Sequence, residues 1–392
     1  MTDAPRALDG VHRRNLSRVL RLVHAEGPQS RSRLTEATGL NRSTVASLVG
    51  ELGALQLVTE RAPDPTRRVG RPSPIVGVDP RTVAVAVNPE VDAVTLGVVA
   101  LGGRVAHRER LPQDHIVSPE ETARLVAETL ARWTRGPLAD RRVVGVGLAV
   151  PGLVRAHDGL VRWAPHLEWS QSPLRSLVEK ATGLPASVGN DASLGALAEH
   201  LFGAGRGIDD IVYLNGGASG IGGGIIVQGR SVGGAGGYAG EFGQNRPGIG
   251  SLDDRRASEG VLEDEVSRSR LLASVSLTNA DEPTLAAALA AAAETVADEL
   301  ARQRRILATA LGNALNVLNP SLVILGGFLA TIAASDSAEL ERAVAAQTIP
   351  TIFEDARIAI AELGEDRLLI GAGELALAAL LDDPGSVVST RP

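Results

Sequence analysis

An α/β fold preceded by a small helical N-terminal domain is what this 392-residue sequence predicts, and three observations carry it. Residues 11–61 are punctuated as three short helices followed by a strand. From Thr82 onward, β-branched runs alternate with amphipathic helical stretches. Hydrophobic residues make up 44% of the chain but aromatics only 2%, so the core is aliphatic, built from Ala, Val, Leu and Ile.

The elements follow in order. Leu16, Val19, Leu20 and Val23 recur at helical spacing, and that helix ends near Gly27-Pro28. A second helix, Arg31 to Thr38, stops at Gly39, which can take the left-handed geometry of a tight turn. Asn41 caps a third helix, in which Val45, Leu48, Val49 and Leu52 share one face. Its opposite face offers Arg42, Ser43, Thr44 and Ser47, small or basic residues suited to phosphates and base edges, and Arg31 and Ser32 open the helix before it. Leu57–Arg61 and Ile75–Val78 read as strands. The loop between them is rich in Arg and Pro, and its Arg67, Arg68 and Arg71 can reach a DNA backbone or a narrow minor groove. Helix, glycine turn, capped helix and basic wing in that order define a winged helix-turn-helix over residues 1–80, with double-stranded operator DNA as its expected partner. The plainer reading is a protein-binding helical domain with a solvated basic loop.

Beyond it, Val83–Val87, Ala93–Val99 and Arg104–Arg108 form a predicted strand meander, Pro119–Thr134 an amphipathic helix, and Val143–Val150 a buried strand. A helix over Leu174–Thr182, a strand at Ala186–Val188 and a helix over Ala192–Phe202 come next. Ile211–Leu214 and Ile221–Val227 are strands around a glycine-rich turn, and an Ala-rich helical region covers Leu285–Leu318 ahead of a strand at Leu322–Leu325. The glycines of 216–224 are read as a tight turn rather than an anion cradle, and Gly233–Gly237 as a link.

Charge is unevenly distributed. The net charge is −7, yet residues 1–80 hold 12 arginines against 8 acids, and the remainder holds 27 basic against 38 acidic residues. A positive reader attached to a negative body fits a regulator better than an enzyme that coats nucleic acid. The chain has no cysteine, which excludes disulfides and thiolate metal sites, and Lys180 is its only lysine. With no long apolar run and a charged N-terminus, a cytoplasmic location without membrane attachment is expected. His24, His107, His115, His157 and His200 lack partners at ligand spacing and are assigned to surface or core.

Several spaced motifs then converge. G-L-A-V-P-G-L-V, A-P-H-L-E-W, G-L-P-A-S-V-G-N-D-A, G-G-Y-A-G-E-F-G-Q, L-N-P-S-L-V-I-L-G-G and L-L-I-G-A-G-E-L-A-L resemble the ROK family of repressors, open reading frames and kinases, over about residues 11–384. With the N-terminal reader, the chain is similar to ROK repressors of the xylose- or N-acetylglucosamine-responsive kind. The resemblance implies that residues 81–392 form a two-lobed, actin-like (sugar-kinase-like, ribonuclease H-like) domain. It also implies a cleft near residues 190–263 for a small carbohydrate effector, assembly as a homodimer or tetramer, and no cofactor. In the family's kinases the aspartate matching Asp191 is the general base, and in its repressors the pair matching Asn190-Asp191 holds sugar. Glu241 and Glu263 match the family's two sugar-binding glutamates.

Three departures qualify that picture. The family's zinc site uses a histidine and three cysteines, but here Gln244 replaces the histidine and no thiol exists, so no metal is expected. The loop from Pro247 to Glu259 is then held by packing and by pairs among Asp253, Asp254, Arg255 and Arg256. The kinase phosphate loop D-x-G-G-T is replaced by sequence containing Asn88, Pro89 and Glu90, which predicts no phosphoryl transfer and leaves Asp191 as a vestigial base. His166 stands where a sugar-contacting Asn is usual, and Gly189 where a Glu is common; both point to an altered sugar preference. A ROK kinase carrying a DNA-binding appendage and a degenerate sensor controlled by a protein partner are the rival readings.

Overall fold

The computed structural model describes residues 4–62, 73–249, 252–257 and 260–386. In chain order it has α1 (Ala4–Glu26), β1 (Gln29–Ser30), α2 (Arg31–Thr38), α3 (Arg42–Ala54), β2 (Val58–Arg61) and β3 (Ile75–Val78). Then come β4 (Thr82–Pro89), β5 (Ala93–Ala100), β6 (Val105–Pro112), α4 (Pro119–Trp133), β7 (Arg142–Val150), β8 (Leu153–Val154), β9 (Val161–Ala164) and β10 (Trp169–Ser172). These are followed by α5 (Leu174–Thr182), β11 (Ala186–Asn190), α6 (Asp191–Phe202), β12 (Ile211–Gly217), β13 (Gly220–Val227) and β14 (Arg230–Ser231). The last part holds α7 (Leu262–Glu265), α8 (Arg268–Ser274), α9 (Glu282–Ala291), α10 (Ala293–Leu318), β15 (Leu322–Gly327), α11 (Phe328–Ser335), α12 (Ser337–Ala345), α13 (Pro350–Glu354), β16 (Arg357–Ile360) and α14 (Arg367–Asp382). The chain divides into two compact units: Met1–Val150 with Gln171–Gly189 and Ala372–Pro392, and Pro151–Ser170 with Asn190–Gly371.

In the first unit, the helix-turn-helix is set by its caps. Ser30 accepts from the Arg33 amide at the start of α2, Gly39 ends that helix at φ 68°, and Asn41 Oδ1 accepts from the Thr44 amide at 2.8 Å. Arg18 of α1 donates to the Ala37 and Thr38 carbonyls, satisfying the C-terminal end of α2 with a cation where the helix dipole favours one. β2 pairs antiparallel with β3, and β1 adds to its other edge. Beside this reader lies a five-stranded sheet of order β11-β7-β4-β5-β6, in which β4, β5 and β6 form an antiparallel meander and β7 runs parallel to β4.

Reader and sheet share one core. Leu16, Leu20, Val23, Leu48 and Leu52 bury against Ala84, Leu101, Leu377, Leu380 and Leu381. Polar contacts reinforce that seam: Ser17 Oγ donates to the Leu381 carbonyl at 2.6 Å, and Arg142 donates to the Leu55 carbonyl at 3.0 Å. His24, expected to be an ordinary core or surface residue, is buried with a specific partner. The Gly102 amide donates to its Nδ1 at 2.9 Å, which leaves the proton on Nε2 to be donated to Glu374, also at 2.9 Å.

The second unit repeats the sheet plan. Its order is β14-β13-β12-β15-β16, again an antiparallel meander with a strand, β15, parallel to the first strand of that meander. Helix α6 lies on β13, where a Cβ at Gly222 would sit 2.6 Å from the Ala192 methyl and one at Gly224 would strike Ala196. These glycines therefore permit a close helix–strand approach, while only Gly220 in the hairpin needs positive φ, at 124°. The Ala-rich region is two helices rather than one. Ala292 (φ −99°, ψ 20°) breaks it, and with no helix-breaking residue there the bend is imposed by Leu285 and Leu289 on one side and Val296 and Leu300 on the other, all packed into the same core.

Leu20→Ala is expected to cost about 2–5 kcal/mol and to lower the denaturation midpoint of the reader and of the β4–β7 sheet together. Circular dichroism and near-ultraviolet signals should move as one transition; a reader that melts alone would disprove the common core.

Candidate functional site

The site is built within the second unit, around the first turn of α6. Asn190 caps that helix, its Oδ1 accepting from the Ser193 amide at 2.9 Å, while its Nδ2 donates to the Gly152 carbonyl at 3.1 Å and to Asp191 Oδ1 at 3.2 Å. Because Asn190 takes the capping role, Asp191 is left facing the pocket with one oxygen held by the Ala192 amide at 2.8 Å. A helix N-terminus ordinarily favours a carboxylate in its first turn. Burial outweighs it: the Asp191 carboxyl is pushed up to about 6, against the pull of the Ala192 amide and the Arg367 charge, with Glu241 adding repulsion.

Glu263 sits in a close-fitting cradle. The Ile221 amide donates to its Oε2 at 3.1 Å, Gln244 Nε2 donates to its Oε1 at 2.5 Å, and a Cβ at Gly243 would lie 2.7 Å from Oε2. Gln244, which stands where the family has its zinc-site histidine, is thus engaged with Glu263. Crowding by protein and the nearby Glu263 charge push the Glu241 carboxyl upward. His166 stands exposed on the short turn Pro165–Leu167. Asn190, Asp191, Glu241, Gln244, Glu263 and His166 all line one pocket, as the residues singled out in the sequence should if they share a ligand.

Sequence reasoning missed part of the lining. Pro151, Leu153, Trp163 and Pro165 form an apolar side, and Asn215, which accepts from Tyr213 Oη at 3.2 Å, adds a polar one. Arg367, whose charge acts on Asp191, was also missed; nothing in the local sequence relates positions so far apart. The zinc-less loop is fastened both within itself and from outside. Arg256 donates to the Asp253 and Arg255 carbonyls, and further hydrogen bonds and an ion pair run outward. The Arg256 and Ala257 amides donate to buried Glu265 at 2.9–3.0 Å, and Asp254 pairs with Arg305 at 2.8 Å. Arg302, nearly inaccessible, joins Glu265 at 3.1 Å and the Asp254 carbonyl at 2.8 Å.

On the reader, Asn41, Arg42, Ser43 and Ser47 are exposed and Thr44 is half-buried. Asn41 is occupied as a cap and holds Ser43 Oγ at 2.7 Å; Arg31 is paired with Glu60, and Ser32 makes its contacts with Ser30 and Ser73. Arg67, Arg68 and Arg71 lie outside the described residues. At the β4–β5 turn, Asn88 Nδ2 donates to Glu90 Oε1 at 2.9 Å, the Glu90 amide donates to the Ala93 carbonyl at 2.8 Å, and Arg110 pairs with Glu90 at 3.4 Å.

A small N-terminal module of three helices joined to paired β-meander units of the sugar-kinase type defines the class. A model of the ROK family matches residues 85–379, and the chain belongs to that family. It is 26% identical over 378 residues to the xylose repressor of Caldicellulosiruptor bescii, covering 91% of this chain and 93% of that protein. It is 32% identical over 254 residues to a glucokinase of Halalkalibacterium halodurans, covering 59% of this chain and 76% of that one. A solved ROK family transcriptional regulator, a homologue of the E. coli MLC protein, superposes with a TM-score of 0.75 at 24% identity over 95% of this chain and 97% of its own. The ROK glucokinase of Streptomyces griseus, solved with glucose and AMPPNP, gives 0.58 at 24% identity over 76% and 99%.

The raised Asp191 carboxyl has a stability consequence. Its native value lies above its unfolded value, so the ionised form burdens the fold at high pH, and the burden disappears as pH falls below the unfolded value near 3.8. Asp191→Asn is expected to be more stable than the parent at pH 8, by roughly 3 kcal/mol at most, with the difference vanishing by pH 4. Paired thermal melts across that range check it.

Proposed function

We propose that this protein is a sugar-responsive DNA-binding transcriptional regulator, a repressor of carbohydrate uptake or catabolism genes, in which ligand in the α6 pocket alters operator affinity. The observation that carries this reading is the convergence of Asn190, Asp191, Glu241, Gln244, Glu263 and His166 on one pocket in a chain that also presents the Arg42–Ser47 face of α3 to solvent. A cluster of carboxylates and amides matches the hydroxyls of a neutral sugar, each carboxylate accepting a strong charge-assisted hydrogen bond. The similarity to a xylose repressor over nine-tenths of the chain supports it. In this reading a homodimer or tetramer brings two α3 helices to successive major grooves of a pseudopalindromic operator, and Arg67, Arg68 and Arg71 are proposed as contacts to the backbone or a narrow minor groove. Among the described residues no helix is long and apolar enough to cross a membrane.

A kinase is the second reading. Glucokinase relatives and an Asp191 carboxyl near neutrality, suited to a general base, favour it. The β4–β5 turn speaks against it. Pro89 has no amide hydrogen, the Asn88 side-chain Nδ2 is taken by Glu90, and the Glu90 carboxylate would repel a phosphate. ADP release with a panel of hexoses and pentoses is expected to stay at background; turnover that depends on Asp191 would overturn the regulatory reading in favour of the enzyme.

Duplexes selected from a random pool, followed by gel-shift titration with xylose, glucose and amino sugars, test regulation directly. One sugar should change DNA retention, and the effect is reciprocal, with DNA altering sugar affinity by the same factor. Glu263→Gln should abolish the sugar response and leave DNA affinity intact. Arg42→Ala should do the opposite, weakening DNA binding and lowering the slope of log affinity against log salt by about one. A protein whose DNA retention ignores every sugar would defeat ligand control.

A further inference from the structure

Of the chain's three tryptophans, Trp133 and Trp169 are 2% and 4% exposed, whereas Trp163 is 55% exposed. A single exposed apolar side chain is ordinary on a protein surface; what marks this one is its place. Trp163 lies on the pocket wall beside Pro151, Leu153, Pro165 and His166. Its position is firmly held. Strand β9 is anchored by buried Val161 and Ala164 at its two ends, and Leu153 pairs with Trp163 across the β8–β9 ladder. A Cβ at Gly152 would come within 2.5 Å of the Trp163 carbonyl, so the two segments are in close contact there. The Gly152 carbonyl in turn accepts from Asn190, the neighbour of Asp191. Platform and carboxylate are thereby tied together through a single hydrogen bond.

The pocket thus grades from half-buried acceptors, Asp191 and Glu263, to an exposed apolar rim formed by Trp163. Hydroxyl-rich edges of a sugar suit the first, and the C–H face of a ring suits the second, because the indole face is both apolar and electron-rich. We infer that Trp163 is a stacking platform for a second ring, so that the ligand class is a disaccharide or longer glycoside rather than a lone monosaccharide. The first ring is held by the carboxylates and the second covers the indole. Trp163 is therefore a specificity-determining residue that reads ligand length. This rests on the sugar-binding reading and adds the size of the sugar to it.

The full-length protein, titrated by calorimetry and by intrinsic fluorescence, tests it with xylose against xylobiose and glucose against cellobiose. In at least one pair the disaccharide should bind ten-fold or more tightly than its monosaccharide and shift tryptophan emission to the blue, since the other two indoles are already buried. Trp163→Ala should bring the ratio of disaccharide to monosaccharide affinity down to about one without lowering the melting temperature, and Trp163→Phe should restore most of that ratio without the emission shift. Equal affinity for one and two rings, or a preference that survives Trp163→Ala, overturns the proposal while leaving the sugar pocket standing. If none of the four sugars binds the parent protein, the sugar reading fails and this inference goes with it.

Discussion

Three carboxyl groups gathered around one small pocket are the constraint from which much of the second unit follows. Asp191 and Glu241 lose water, Glu241 repels Asp191 and Glu263 repels Glu241, and these effects raise the cost of ionising Asp191 and Glu241. The structure offsets this with directed donors: the Ala192 amide on Asp191, the Ile221 amide and Gln244 on Glu263, and the charge of Arg367 nearby. The close seating of α6 on β13 puts the first of these donors in place, and that seating depends on Gly222 and Gly224 lacking side chains. A pocket arranged in this way is electrostatically better suited to neutral hydroxyl donors than to anions.

Local chemistry in the sequence foretold the elements well. The limits of α2, the left-handed Gly39, the Asn41 cap and the buried face Val45, Leu48, Val49 and Leu52 are all where cap and periodicity rules put them. Each depends on residues within one or two helical turns. The six pocket residues were reached through motif resemblance, and the structure brings them to one place. What stayed hidden depends on distance along the chain. His24 meets Glu374 across 350 positions, Arg302 meets Glu265 across 37, and Arg31 meets Glu60 across 29. No periodicity encodes such pairs, which is why the Glu60 partner of Arg31 and the Glu265 and Arg305 partners of the 253–257 loop were not foreseen. The break at Ala292 was missed for the same reason, since packing overrides a helical propensity that is high on both sides of it.

The Arg302–Glu265 pair shows how the loop before α7 keeps its shape without thiolates. An isolated buried ion pair is a poor stabiliser, since desolvation offsets its attraction. Here the guanidinium also meets Glu299 at 2.8 Å and the Glu265 and Asp254 carbonyls, while Glu265 accepts two loop amides. With those hydrogen bonds satisfied, the network confers a specific loop conformation more than stability. Because α7 begins one residue before Glu263, that conformation also fixes where the pocket glutamate stands.

The seam between the reader and α14 bears on how such proteins can be recombined. The reader's apolar surface is completed by residues from the far end of the chain, among them Leu377, Leu380 and Leu381. A graft of the first eighty residues onto a foreign sensor would leave that patch bare and sticky, inviting aggregation. Functional chimeras in this architecture must exchange the C-terminal helix together with the N-terminal module, so that two distant stretches of gene travel as one inherited piece.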